Sequence, residues 1–254
     1  MKFGIVTYQI AQDWDMPTLI DMCQKTGLQG VELRTTHAHK VEADLTPEQR
    51  REVKKQFEDA GIEIVGLGTI FEYHAVEPEV VRQNIDGTIE YAQLAADIGC
   101  GGVKVRPNGL QVDKGIPVEK TLEQIGLSVR ECAEPASDLG VQIRVEVHGP
   151  ETSDPKHMRS IMDYADHANA SLCWNSSGGD IVDGSVKESF ELLKDKLTLI
   201  HLHEIYSSEY PYQELFSLLK AADYDGYTLA EIAPSPEPER LLSYYKALWE
   251  GYTA

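Results

Sequence analysis

The chain is poor in basic residues, sparing with cysteine and without any long apolar run. Of its 254 residues, 23 are Lys or Arg and 42 are Asp or Glu, a formal net charge of −19. Such an excess repels polyanions and disfavours a DNA or RNA backbone as partner. No segment approaches the roughly 18 apolar residues of a membrane span. The opening Met1-Lys2-Phe3-Gly4-Ile5-Val6 holds no apolar run of signal-peptide length and reads directly as a strand. No membrane partner is expected, and the cytoplasm is the expected compartment. Cys23, Cys100, Cys132 and Cys173 are far apart, with no Cys-x-x-Cys pair. They read as buried free thiols of a reducing compartment. Neither Gly-x-Gly-x-x-Gly nor the Gly-x-x-x-x-Gly-Lys-Ser/Thr loop occurs, so nothing marks a nucleotide phosphate cradle.

What the sequence does have is an alternation of two periods. Short β-branched or apolar runs read as buried strands at Phe3–Thr7, Gly30–Leu33, Ile62–Gly66, Gly102–Val105, Val141–Val147, Ser171–Trp174, Leu197–His203 and Tyr227–Ala230. Between them lie amphipathic stretches at Met16–Thr26, Pro47–Ala60, Glu79–Ile98, Pro117–Leu139, Pro155–Ala168, Ser185–Leu193, Tyr212–Ala222 and Pro236–Glu250. Thr46-Pro47-Glu48-Gln49 combines a capping hydroxyl, proline at the first helical position and glutamine at the third, and so predicts a helix start. Asp154-Pro155 and Ser235-Pro236 repeat the cap-then-proline pattern. Gly27, Gly61, Gly99 and Gly140 each stand between a helix-like stretch and a strand, where glycine can close the helix. Pro135, late in the fourth helix, predicts a kink or break. Eight strand–helix units in about 250 residues predict a single (β/α)8 TIM barrel over residues 1–254, with an open doubly wound sheet as the runner-up.

In such a barrel, function collects at the C-terminal ends of the strands, and ionisable residues recur there. Glu146 and His148 alternate at a spacing of two, which puts them on one face of strand five. Glu231 sits among Leu229, Ala230 and Ile232 on strand eight. Two carboxylates on these strands suit proton removal by one and return by the other, or a hard divalent cation between them. His201 and His203 share a face of strand seven. Arg106 could hold an anionic or hydroxyl-rich group or, equally, form a plain rim salt bridge, and Lys104, Arg106 or a histidine could offset developing negative charge. Glu72, His74, His37, His39 and Glu204 fall in the same loops. Trp14, Tyr8, Phe71, Tyr73 and Trp174 are candidates for an aromatic wall against a sugar ring, with core packing the preferred reading for Trp174.

The pieces Gly30-Val31-Glu32-Leu33, Glu146-Val147-His148, Leu172-Cys173-Trp174-Asn175, His201-Leu202-His203 and Glu231, in this order, resemble the xylose isomerase-like barrels, in particular their sugar and sugar-phosphate isomerase/epimerase group. The resemblance implies carbohydrate metabolism. It also implies a divalent metal ion (Mn, Mg, Co or Zn) held by Glu146, Asn175, His203 and Glu231, with the two glutamates doubling as acid and base. His148, Arg106, Glu72, His74, Trp14 and His201 are then the substrate-binding candidates. The pattern departs from the group at Asn175, where an aspartate is usual. A neutral amide oxygen attracts a cation less than a carboxylate does, so the ion is expected to be weak, recruited with substrate, or absent.

The leading expectation is therefore an isomerase or epimerase of a small sugar or polyol, working through an enediolate. A dehydratase of a keto-inositol-like compound uses similar parts. A non-catalytic sugar-binding barrel with a degenerate metal site is the alternative outside catalysis. An apurinic-site endonuclease is disfavoured by the net charge and by Asn175. Barrels of this type often pair, which admits a homodimer, but no segment specifies the contact and the oligomeric state stays open.

Overall fold

The computed structural model describes residues 1–254. Eight parallel strands close on themselves in sequence order, β1 pairing with both β2 and β8. They are β1 (Lys2–Val6), β2 (Gly30–Arg34), β3 (Glu63–Glu72), β4 (Gly102–Arg106), β5 (Gln142–Glu146), β6 (Ala170–Asn175), β7 (Leu197–Leu202) and β8 (Tyr227–Ala230). The helices between them are α1 (Met16–Thr26), α2 (Pro47–Ala60), α3 (Pro78–Ile98), α4 (Val118–Asp138), α5 (Pro155–Ala165), α6 (Lys187–Leu193), α7 (Tyr212–Ala221) and α8 (Pro238–Thr253). This is the single (β/α)8 barrel that the eightfold alternation predicts. No helix is long and apolar enough to cross a membrane, and all four cysteines are buried and unpaired.

The local signals work as their chemistry requires. Thr46 Oγ1 accepts from the Gln49 amide at 3.3 Å while Gln49 Oε1 accepts from the Thr46 amide at 2.8 Å, so two free donors at the start of α2 are satisfied reciprocally. Asp15 and Asp154 cap α1 and α5. Gly27 and Gly61 close α1 and α2 at φ of 67° and 68°, a region where a side chain is strained.

Three expectations are corrected. Pro135 does not break α4, which continues to Asp138. The proline falls in the last turn, and the carbonyl it cannot reach belongs to the exposed Glu131, where water can serve it. Helix α8 starts at Pro238 rather than Pro236. Glu237 stands before a second proline and lies outside the helical region, at φ −127° and ψ 65°, since the residue before a proline is kept from the helical conformation. Strand β3 runs to Glu72, well past the expected Gly66, because Leu67 and Gly68 go on pairing with β2 and β4.

Parallel strands covered by helices must be apolar on both faces. The main cluster, 58 buried residues, lies between sheet and helices. A separate set of six, Val6, Val65, Cys173, Leu199, Tyr227 and Leu229, fills the interior of the barrel. Toward the C-terminal mouth this interior turns polar, and there the candidate residues meet.

Candidate active site

Strand alternation aims the polar residues inward. On β5, Arg144, Glu146 and then His148 share the inner face, and on β4 Lys104 and Arg106 do so. Arg144 and Lys104 are direct neighbours in the β4–β5 register. The deeper Arg144 is tied to the Val65 carbonyl at 2.7 Å. One step higher, Lys104 Nζ lies 2.7 Å from Glu146 Oε2, with the two side chains 4% and 3% exposed. The other oxygen, Glu146 Oε1, accepts from Asn175 Nδ2 at 3.2 Å and lies 3.3 Å from His201 Nδ1. Burial alone would raise the Glu146 carboxyl, but Lys104 and His201 outweigh it and hold it well below the usual carboxylate range. Burial likewise opposes the Lys104 ammonium, and the negative charge of Glu146 and Glu32 more than restores it.

His201 is the hub. Its Nε2 is 3.2 Å from Glu32 Oε2, and its Nδ1 is 3.1 Å from Glu231 Oε2. Burial would lower the ring's affinity for a proton, and Cys173 together with the Glu32 and Glu231 carboxylates carries it well above the ordinary histidine value. Glu231, despite its own burial, is held at about 2 by His201. Glu32 reaches the barrel interior because β3 is bare opposite it. A Cβ at Gly68 would stand 2.7 Å from Glu32 Oε1, and one at Gly66 would stand 3.2 Å from Oε2. The two glycines leave the space the carboxylate fills.

Above this floor opens a polar cavity of about 370 Å³, lined by Tyr8, Gln9, Arg34, Lys104, Arg106, Glu146, His148, Asn175, His203, Glu204, Glu231, Ile232 and Ala233. Of the residues singled out by sequence, Glu146, Glu231, Asn175, His203, His148 and Arg106 therefore converge. His148 is steadied by Asn108 Oδ1 at 2.9 Å from its Nδ1. His203 is 40% exposed, with Nε2 3.7 Å from Glu231 Oε2. His201 lies beneath the cavity rather than in its wall. Glu72 does not line the cavity; it holds Arg106 and accepts from Asn108 Nδ2 at 2.6 Å. His74, 3.8 Å from Glu72, faces an outer groove with Gln124 and Lys120. Trp14 packs against the core, and Trp174 is fully buried with its Nε1 donating to Tyr210 at 3.0 Å. Only Tyr8 of the expected aromatic wall borders the cavity, under the Arg34 guanidinium.

Sequence reading passed over Glu32 and Arg34 as site residues and gave Lys104 only a secondary part. The available signal was Gly66 and Gly68, two residues apart in a strand, which is where a neighbour's side chain must pass. Arg34 matters because it is the one guanidinium of the cavity without a carboxylate at ion-pair distance. It donates only to Thr35 Oγ1 and the Gly68 carbonyl, both at 3.3 Å.

Glu146, His201 and Glu231 bring one ligand atom each to within 4.8 Å of one another, close enough to share a single cation. Asn175 Oδ1, His201 Nδ1 and Glu231 Oε2 have no aligned hydrogen-bond partner. Glu146, His201 and Glu231 therefore form a candidate divalent-cation site, but one of its ligands is already engaged. Glu146 already carries an ammonium on one oxygen and an amide on the other. Unit charges 4 Å apart interact by about 4 kcal/mol at an effective dielectric constant near 20, so an ion of charge two beside Lys104 would meet a repulsion of about twice that, set against the attraction of Glu32, Glu146 and Glu231.

The chain matches the family model described as xylose isomerase-like TIM barrel over residues 20–248. No curated protein matches it by sequence. Among solved structures it is similar to D-psicose 3-epimerase from Clostridium cellulolyticum H10, with TM-score 0.82 and 15% identity over 100% of this chain and 99% of that one. It is similar also to 3-keto-D-glucoside 4-epimerase from E. coli, with TM-score 0.81 and 15% identity over 99% of each chain. D-allulose 3-epimerase from Methylomonas sp. gives TM-score 0.78 and 15% identity over 99% of this chain and 98% of that one. At such identities the likeness is one of fold.

Proposed function

The chain belongs to the xylose isomerase-like TIM barrel family, and from that premise we propose that it is an isomerase or epimerase that moves a proton next to the carbonyl of a small sugar or polyol-derived compound. The observation that carries this reading is the entry of Glu146 and Glu231, from β5 and β8, into one polar cavity of about 370 Å³. That volume suits a molecule of sugar size.

The two carboxylates have different freedom. Both Glu146 oxygens are engaged, by Lys104 and by Asn175. Glu231 meets His201 and His203 through Oε2 alone, which leaves Oε1 for the substrate. In this reading Glu231, ionised at neutral pH, removes the proton; its protonated carboxyl returns one to the adjacent carbon in an isomerisation, and solvent supplies one to the opposite face in an epimerisation. The Lys104–Glu146 pair faces the nascent enediolate, where an ammonium stabilises the oxyanion. Arg34 and Arg106 meet hydroxyl or acidic groups of the ligand at the rim, and the similarity to a D-psicose 3-epimerase and a 3-keto-D-glucoside 4-epimerase supports a carbonyl substrate.

The test is solvent exchange. The protein is incubated with a panel of ketoses, aldoses, 3-keto-sugars and keto-inositols in D2O and followed by proton NMR. Deuterium at the carbon next to the carbonyl, with an epimer or isomer accumulating, is the expected result. Net loss of water from a substrate would point to a dehydratase instead. Binding of a sugar without exchange on any member of the panel would sink the catalytic reading.

A further inference from the structure

The mouth of this barrel has a built-in cation. Lys104 projects inward from the middle of β4, is 4% exposed and ends 2.7 Å from Glu146 Oε2. Its position is determined by the sheet: the β4–β5 register pairs Lys104 with Arg144, so a side chain as long as lysine rises one step to reach Glu146. No carboxylate other than Glu146 lies at ion-pair distance from Lys104, although Glu32 and Glu231 stand on either side of His201. The position on β6 that could have supplied one is Asn175, whose amide donates to the same Glu146. Arg34, also lining the cavity, has no carboxylate partner of its own. A site built to take a doubly charged ion gathers excess negative charge at its ligands. Here an ammonium and an amide have been put on the ligand, and a free guanidinium stands near by.

We propose that Lys104 takes the place of a divalent metal ion in this site, its ammonium being the resident positive charge that holds Glu146 and faces the substrate, so that the protein takes up no stoichiometric metal. The inference does not depend on which reaction the site performs, since it concerns only what occupies the carboxylates.

It is tested without a substrate. The probe is Mn2+, with bound ion measured by loss of the free-ion electron paramagnetic resonance signal, and with metal content of the purified protein measured by mass spectrometry. Wild type is expected to carry well under one equivalent of any divalent metal and to bind Mn2+ with Kd above about 1 mM. Asn175→Asp alone should stay within about tenfold of wild type, because Lys104 still occupies Glu146. Lys104→Met combined with Asn175→Asp should bind at least about a hundredfold more tightly. A wild-type protein that is purified with one equivalent of metal, or binds Mn2+ below about 10 μM, overturns the proposal. So does a gain beyond tenfold from Asn175→Asp alone, which would make the amide and not Lys104 the obstacle. A double variant that is folded by circular dichroism yet no tighter than wild type overturns it as well. Should Lys104→Met fail to fold, the wild-type and Asn175→Asp measurements decide.

Discussion

Removing Lys104 should destabilise the barrel, and neutralising Glu146 at the same time should restore most of what is lost. The pair is 2.7 Å apart and at most 4% exposed. At an effective dielectric constant near 20, such a contact is worth about 6 kcal/mol of gross attraction, much of which offsets the cost of taking both charges out of water. The net effect is therefore asymmetric. Lys104→Met leaves a buried carboxylate without its ammonium, and breaking a buried pair typically costs about 3–5 kcal/mol. The lower end applies, about 3 kcal/mol, because Asn175 at 3.2 Å and His201 at 3.3 Å still face Glu146 Oε1. Glu146→Gln alone strands the ammonium, with a similar loss. The double replacement by a thioether and an amide should return to within about 2 kcal/mol of wild type. Urea unfolding followed by circular dichroism measures all four proteins, and an unchanged m-value shows that the folded and denatured states are comparable. The coupling expected from the cycle is at least about 4 kcal/mol. Single losses below about 1 kcal/mol, or losses that simply add to within about 0.5 kcal/mol, would refute the reasoning.

Three further outcomes follow from the structure. Glu231→Gln should reduce solvent deuterium exchange on whichever substrate the NMR panel identifies by about 10²–10⁴-fold, while substrate binding, measured by calorimetry, persists. Gly68→Ala should cost about 1–3 kcal/mol in urea unfolding, since the added methyl would stand 2.7 Å from Glu32 Oε1 in a filled interior; a neutral effect would show that Glu32 can move aside. Asp180, beneath the β6 loop, is buried and accepts from Tyr210. Burial pushes its carboxyl up to about 7. Between its unfolded value near 4 and that folded value, the folded chain keeps a proton that the unfolded chain has released, so stability falls as pH rises through this window. The full effect is on the order of 4 kcal/mol. Asp180→Asn should flatten the stability profile between pH 4 and 7, and an unchanged slope in urea midpoints would show that another group is responsible.

The position of each strand was legible because parallel barrel strands are apolar on both faces and are set off by caps and glycines. Helices α1 and α2 begin and end where proline, the capping side chains and glycine place them. The longer β3 was less visible. Gly66 and Gly68 look like a strand end in isolation, and only pairing with both neighbours carries the strand onward. The candidate site was legible as far as period two reaches. Alternation puts Glu146 with His148, and His201 with His203, on inward faces. It carries no information about depth. The closed sheet sets Asn175 opposite His201, so His201 is the ring that meets the carboxylates and His203 stands at the rim.

The sequence by itself determined the architecture, since local propensity and burial periodicity are properties of neighbouring residues. It determined also that carboxylates and histidines would gather at one end of the barrel. Only the tertiary structure decided which charge answers which. Lys104 and Glu146 are 42 residues apart and Glu32 and His201 are 169 apart, and they meet through ring closure and register. Arg106, which the sequence left equally open to ligand binding and to a rim salt bridge, is held by Glu72, and Arg34 is the guanidinium left open. Electrostatic partnership depends on distances of a few ångströms across the barrel, and no pattern along the chain encodes those.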